Sequence, residues 1–426
     1  MKRARPWITA LACATAMLAQ AQVQDDPRLP LLPPTAAVQQ VLEQLPQVRA
    51  AGAAIALAQA RSQRLQAGPH DWVAKAGIDR RSEQSGPRYR ESEIGLETAL
   101  RWPAKVAADR QLGGVEERLG HIGYADAWHE AARALLADWF DVLREMRGAQ
   151  LLQAQDTLMQ QQLKVTQRRV DTGDAAALDL LAANAERARV QAQAARARAQ
   201  TELRRHTLLG RYPGLADPAD LLAAAPDAWL APPADGADTA GASAWVERIL
   251  DDHHELERAQ VRAEQARLQA ERVRLERQPD ATVGVRATRE RGGQERVLGV
   301  YLSLPLGGAG RRADASAALA QADIADQDLA QTRQRVQADA WRTASEAQQT
   351  LATLASQRHA LEQLEKSAAL QERAYALGES PLVDLLLARR GALEARLAAE
   401  TSALDALQAR ARLLLDAHRL WKPPGH

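Results

Sequence analysis

The side chains able to do chemistry in this chain are few and mostly scattered. No G-x-S-x-G, H-E-x-x-H, phosphate-loop or paired-cysteine motif occurs in its 426 residues, so acyl transfer, zinc hydrolysis and nucleotide chemistry have no visible machinery. The densest group of potential ligands is Asp252-His253-His254-Glu255. Adjacent residues on a helix point about 100° apart, so these four do not converge on one ion by themselves. Gly307-Gly308-Ala309-Gly310 precedes a helical stretch as a phosphate cradle would, but no companion motif follows, and it reads as a flexible strand-to-helix joint. No enzyme activity, metal site or cofactor is expected. What remains is a pair of aspartates, Asp179 and Asp384, each just beyond a glycine turn at Gly173 or Gly378 and just inside the helical stretch that follows. At the least, such a first-turn acid complements a helix dipole by some tenths of a kcal/mol, roughly.

These aspartates sit in matching places because the chain repeats itself. Gly173-Asp174-Ala175-Ala176-Ala177-Leu178-Asp179-Leu180-Leu181 recurs 205 positions later as Gly378-Glu379-Ser380-Pro381-Leu382-Val383-Asp384-Leu385-Leu386. Trp102-Pro103 corresponds to Leu304-Pro305 and Val48-Arg49-Ala50-Ala51 to Leu256-Glu257-Arg258-Ala259, in the same order and at nearly the same offset. A tandem duplication follows. The expected organisation is a first repeat over 22–210 with a strand pair at 71–102 and a hairpin turn near 173. A linker or equatorial region at 211–243, rich in Pro and Gly, precedes a second repeat over 244–422, with a strand pair at 280–305 and a turn near 378. Each repeat opens with a helix, at about 36–67 and about 244–277.

The strand pairs alternate. Trp72, Ala74, Ala76 and Ile78 oppose Lys75 and Asp79; Ile94, Leu96, Thr98 and Leu100 oppose Glu93, Glu97 and Arg101. In the second repeat Val283, Val285 and Ala287 oppose Thr282 and Arg286, while Leu298, Val300, Leu302 and Leu304 oppose Gly299 and Ser303. A period of two gives each strand one apolar and one polar face, and runs of about 9–10 residues suit a tilted strand crossing a bilayer. The polar connections, Arg81 to Arg88 and Arg289 to Arg296, read as hairpin loops. Four strands alone leave edges, which lipid does not tolerate, so several subunits must pool them.

The long stretches are helical. Arg311 to Leu377 contains neither Pro nor Gly and would span about 100 Å as one helix. Leu351, Leu354, Leu361 and Leu364 carry coiled-coil spacings, and Ser380-Pro381 suits the N-cap and first turn of the return helix. Aromatic content is 4% with a single Phe140, a composition of long helices packed through small side chains. Lys2, Arg3 and Arg5, then an apolar run from Trp7 to Leu18 and Ala19-Gln20-Ala21, read as a signal peptide over 1–21. Cys13, the only cysteine, lies within it; a lipidated Cys13 after Ala10-Leu11-Ala12 is the alternative, with a short apolar core. A net charge of +1 leaves no basic excess for nucleic acid.

Two exported copies of strand pair plus long hairpin resemble the TolC-like outer membrane factors over essentially the whole mature chain. The most specific piece is Tyr375-Ala376-Leu377-Gly378-Glu379-Ser380-Pro381-Leu382-Val383-Asp384-Leu385-Leu386, which is similar to the family's tyrosine-x-x-glycine…valine-aspartate turn. Leu304-Pro305-Leu306 looks like its strand-to-coil junction. The resemblance implies a mainly α fold with transmembrane β: long coiled-coil hairpins, and four strands per subunit in a trimeric 12-stranded barrel in the outer membrane, with a large periplasmic part. It implies an exit duct of a tripartite efflux pump for small molecules or metal ions, working with a periplasmic adaptor and an inner-membrane pump such as an RND transporter. Type I protein secretion, or a periplasmic adaptor or coiled-coil structural protein, are the alternatives. It further implies that Asp384, its counterpart Asp179, and Tyr375 form the periplasmic aperture, and that the tips Gly173, Asp174, Gly378, Glu379 and Ser380 meet the adaptor. Leu387 and Ser380 stand where some members carry a second aspartate and an arginine, so the ring is less acidic here.

Overall fold

The computed structural model describes residues 29–82, 84, 86–224 and 241–423. The expected signal peptide over 1–21, with Cys13, lies outside the described residues, as does the proline-rich stretch 225–240 within the expected linker. Helices α1 (Thr35–Gln44) and α2 (Pro46–Ala67) lead into strands β1 (Val73–Ser82) and β2 (Arg88–Leu100), then into α3 (Pro103–Asp171) and α4 (Ala177–Arg211). After the short α5 (Pro218–Ala224) the order repeats: α6 (Ala242–Asp251), α7 (His254–Leu275), β3 (Ala281–Glu290), β4 (Glu295–Ser303), α8 (Ala309–Ala376) and α9 (Leu382–Asp416). None of the described helices is long and apolar enough to cross a membrane.

Each opening helix is broken in two, against the sequence expectation of one. Leu45 is extended (φ −63°, ψ 135°) because the proline after it disfavours the helical region and removes a donor. The second break falls at Asp252 and His253, the latter at φ −84°, ψ 106°, where no Pro or Gly marks it. The hairpin loops are also shorter than expected, since β1 continues to Ser82 and β3 to Glu290.

Strands join in the order β1-β2-β3-β4, all antiparallel. Below the sheet, α3 and α8 run 69 and 68 residues, each about 100 Å at 1.5 Å per residue. Their apolar moments are spread around the axis, so packing depends on small residues at close crossings. A Cβ added at Gly120 of α3 would lie 3.0 Å from the Ala58 Cβ and 3.3 Å from the Ile55 Cα of α2. Large side chains concentrate at one level instead. Trp128, Trp139 and Phe140 of α3 are buried with Val38 and Leu42 of α1, Trp245 and Ile249 of α6, Leu404, Leu407 and Leu414 of α9, and Trp421. Two of the indoles are satisfied at their polar edges: Trp128 Nε1 donates to the Trp421 carbonyl at 2.9 Å and Trp139 Nε1 to that of Leu31 at 2.7 Å. The low average aromatic content therefore conceals a local aromatic core, which composition over the whole length cannot reveal.

Candidate functional site

The sheet sorts its side chains by face. Residues directly opposite in an antiparallel pair share a face, and the register sets Ala76, Ile94, Ala287 and Leu298 in one row and Ala74, Leu96, Val285 and Val300 in the next. Thr98, Val283 and Leu302 continue it. These are the alternating apolar positions expected from sequence, now aligned across four strands, and they are open: Ile78 is 80% exposed, Leu298 83% and Val300 81%. Trp72 and Trp102 flank the band at its helical end, both exposed. An exposed apolar face of this extent marks a membrane or partner surface. The other face is polar. Lys75 Nζ donates to Glu97 at 2.6 Å, and the Tyr301 hydroxyl donates to the same carboxylate. The Tyr301 ring lies over Gly284, where an added Cβ would sit 2.4 Å from Tyr301 Cζ; only glycine leaves that space.

At the far end, both long helices stop by the same device. Gly173 (φ 80°) and Gly378 (φ 78°) take the left-handed conformation that glycine adopts without strain. The Gly378 N–H donates to the Tyr375 carbonyl at 3.1 Å and the Glu379 N–H to that of Ala374 at 2.9 Å; Gly173 and Asp174 donate likewise to Val170 and Arg169. Both are Schellman turns. α9 starts at Leu382 with Pro381 at the N-cap, without a side-chain cap. Ser380, expected to cap it, instead accepts a hydrogen bond from Gln371. Asp384 lies in the first turn of α9 and is exposed, beside exposed Val383 and Leu387; Asp179 lies in the first turn of α4 and is half-buried. Tyr375 packs against a small core of Met159, Ala183, Leu382 and Leu385, with the Arg169 guanidinium 4.9 Å from its ring centroid.

Residues that sequence reasoning missed join the two hairpins just behind these tips. Arg389 of α9 donates to Gln162 of α3 at 3.0 Å and to Glu372 of α8 at 2.8 Å. Arg390 donates to Glu186 of α4 at 2.5 Å, and Arg189 to the same carboxylate at 2.6 Å. Burial pushes the Glu186 carboxyl up, but the hydrogen bonds from Arg189 and Arg390 outweigh this and hold it below the usual range.

Residues 245–415 match the family model for the outer membrane efflux protein. That match covers the second repeat. Its fold over 91% of its length is that of VceC from Vibrio cholerae, an outer membrane protein (TM-score 0.70, 17% identity, 95% of that chain). The Campylobacter jejuni CmeC outer membrane channel (TM-score 0.72, 12% identity, 92% of this chain and 87% of that one) and the outer-membrane channel OprN (0.71, 19%, 91% of each) are equally similar. No curated protein matches the chain in sequence. The arrangement of a four-stranded sheet above long helical hairpins is thus the fold of these outer membrane channels.

Two charged clusters escaped the sequence reading. Where strands meet helices, Arg101 donates to Asp109 at 2.5 Å and to Glu276 at 2.9 Å, and Lys105 donates to Glu276 at 2.8 Å. Arg272 closes on Asp109 at 2.6 Å, and Lys105 lies 3.0 Å from Asp280. Lys105 and Asp109 are almost wholly buried, so removing one partner leaves an uncompensated buried charge. Their signal was present as two runs at a spacing of four, Arg101-Lys105-Asp109 and Arg272-Glu276-Asp280. The second cluster takes His254 from the group weighed as metal ligands. His254 does not converge with its sequence neighbours; its ring centroid lies 6.1 Å from that of His129 and 4.5 Å from that of His418. Among the described residues no group is placed to hold a metal ion. Burial pushes His129 down to about 3, with Arg133 adding to the effect and Asp416 opposing it. Asp416 accepts from His129, Arg133 and Arg412 at 2.8–3.2 Å; burial raises its carboxyl, and these partners bring it well below the usual range.

Proposed function

We propose that this chain is the outer membrane channel subunit of a tripartite efflux pump, a passive exit duct for small molecules or metal ions. A periplasmic adaptor and an inner-membrane transporter of the RND kind would deliver them. The observation that carries the reading is the sheet: four strands in one order, β1 and β4 each with a free edge, and one face apolar from edge to edge. Lipid tolerates no unpaired strand edge. Pairing β4 of one copy with β1 of the next removes every edge, and three copies make a 12-stranded barrel with the polar face inward.

In this reading the helix tips close the periplasmic end. Asp384, repeated by symmetry, forms a carboxylate ring, with Asp179 beside it and Tyr375 holding neighbouring helices; a negative ring at a narrow pore favours cations. The turns at Gly173, Asp174, Gly378, Glu379 and Ser380 are the adaptor contacts, being exposed at the extreme end or, for Ser380, next to it. The purified protein in a planar bilayer tests the proposal. It is expected to run as a heat-dissociable trimer and to conduct, with divalent cations added on the tip side blocking the current. A monomer without conductance would overturn it.

A further inference from the structure

The arginines of the strands are sorted as sharply as the apolar residues. Arg80 stands directly opposite Arg90, and Arg289 directly opposite Arg296. Arg88 precedes Arg90 by two residues on the same strand and face. Ser92, two residues after Arg90, is opposite Arg289, which sets Arg289 diagonally beside Arg90, within reach of a long side chain. The five therefore form one patch across the four strands. It shares the apolar face, immediately beyond the row of Ala76, Ile94, Ala287 and Leu298, at the hairpin ends farthest from the helices.

No described strand residue on this face is acidic. The carboxylates Asp79, Glu91, Glu93, Glu97, Glu290 and Glu295 all occupy the opposite face in the register. Arg81, which shares that face, pairs with Glu91 at 3.1 Å. Among the described residues none of the five patch arginines makes an ion pair, and all five are exposed. Like charges directly opposite one another destabilise a strand pair, and here two such pairs stand side by side with no described strand residue on their face to neutralise them. An anion from outside the chain supplies what is missing. Ser92, Ile94, Ala287, Arg289, Arg296 and Leu298 line one groove, with guanidinium groups at one end and aliphatic carbon at the other. That is the chemistry of a phosphate headgroup carrying acyl chains: arginine grips phosphate through paired donors, and basic clusters beside an apolar belt bind anionic lipid.

We propose that Arg80, Arg88, Arg90, Arg289 and Arg296 bind the phosphate groups of an acylated lipid in the leaflet remote from the helices. Its chains would lie along the apolar rows. The proposal rests on the reading that the apolar face meets lipid. To test it, the purified full-length protein in dodecyl maltoside is incubated with bisphosphorylated lipid A or with its dephosphorylated form, and retained lipid is counted by native mass spectrometry. Retention of the phosphorylated form is expected to exceed that of the dephosphorylated form at least tenfold. In the variant Arg90→Gln/Arg289→Gln/Arg296→Gln that preference should fall to twofold or less. Equal retention of both lipids by the unaltered protein overturns the proposal without recourse to any variant, and so does a preference unchanged in the variant. Release of the lipid by millimolar inorganic phosphate would reassign the patch to a free anion and overturn it too. Single-channel conductance of the same preparations in phosphatidylcholine is the separate control. Its absence would sink the channel reading, whereas lipid retention reports on the patch alone.

Discussion

Asp384 and Tyr375 flank one turn but face different surroundings, and that difference separates the roles proposed for them. The Asp384 side chain is exposed and accepts no hydrogen bond from the described residues, whereas Tyr375 is wedged between the Arg169 guanidinium and the Leu382 and Leu385 pocket. Asp384→Ala should therefore leave folding unchanged while weakening divalent block of the channel at least tenfold; unchanged block would remove it from the aperture. Arg390→Met acts otherwise. It leaves Glu186 with Arg189 alone, releases one tie between the hairpins, and should raise the open fraction of the channel without altering its cation preference, which single-channel recording separates. The aspartate was legible because a first-turn acid after a glycine turn occurs twice. The arginine ties were not, because Arg389 and Gln162 are 227 positions apart and only folding brings them together.

At the scale of elements, glycine and alanine set how closely helices approach, and charge sets where they are held. Gly120→Val puts branched carbon where a Cβ alone already meets Ala58 at 3.0 Å. Overpacking of this kind costs about 1–3 kcal/mol, and thermal unfolding should show the loss, with Gly148→Ala on the open side of α3 as the neutral comparison. The histidine cluster ties α3, α7 and the end of α9 together and gives the helical part a pH dependence. His129 titrates at about 3 in the folded protein against about 6.5 when unfolded. The unfolded chain thus binds the extra proton between these values. The stabilisation is complete above about pH 6.5 and is lost as pH falls toward 3, by up to about 1.4 kcal/mol per pH unit; His253 and His418, also lowered chiefly by burial, act in the same direction. His129→Gln should flatten the fall in Tm between pH 7 and 4, and an unchanged slope would show that other groups carry it. Long helices and glycine turns were legible in the sequence because no proline falls between Pro103 and Pro213, and neither proline nor glycine between Arg311 and Leu377. The break at Asp252 was not, because no residue there forbids helix; it lies where α6 turns Trp245 and Ile249 into the core.

For the whole molecule, the question is which side of the sheet meets lipid, since that decides where a duct can run. Alternation made both faces of each strand readable, yet no single strand could say that the four apolar faces align. The register supplies that: Val300 sits opposite Val285, which sits opposite Leu96, which sits opposite Ala74. Ser303 lies three residues along the same strand, on the polar face opposite Thr282. A lysine at a lipid-facing barrel position near the bilayer midplane costs about 2–4 kcal/mol, and the proposed trimer would meet that cost once in each subunit. A lysine on the polar face stays in water. Val300→Lys should consequently abolish heat-dissociable trimers in the outer membrane fraction, while Ser303→Lys assembles normally and shifts the channel's ion selectivity toward anions. The reverse pattern, with Ser303→Lys failing and Val300→Lys conducting, would turn the sheet inside out and with it the path of the duct.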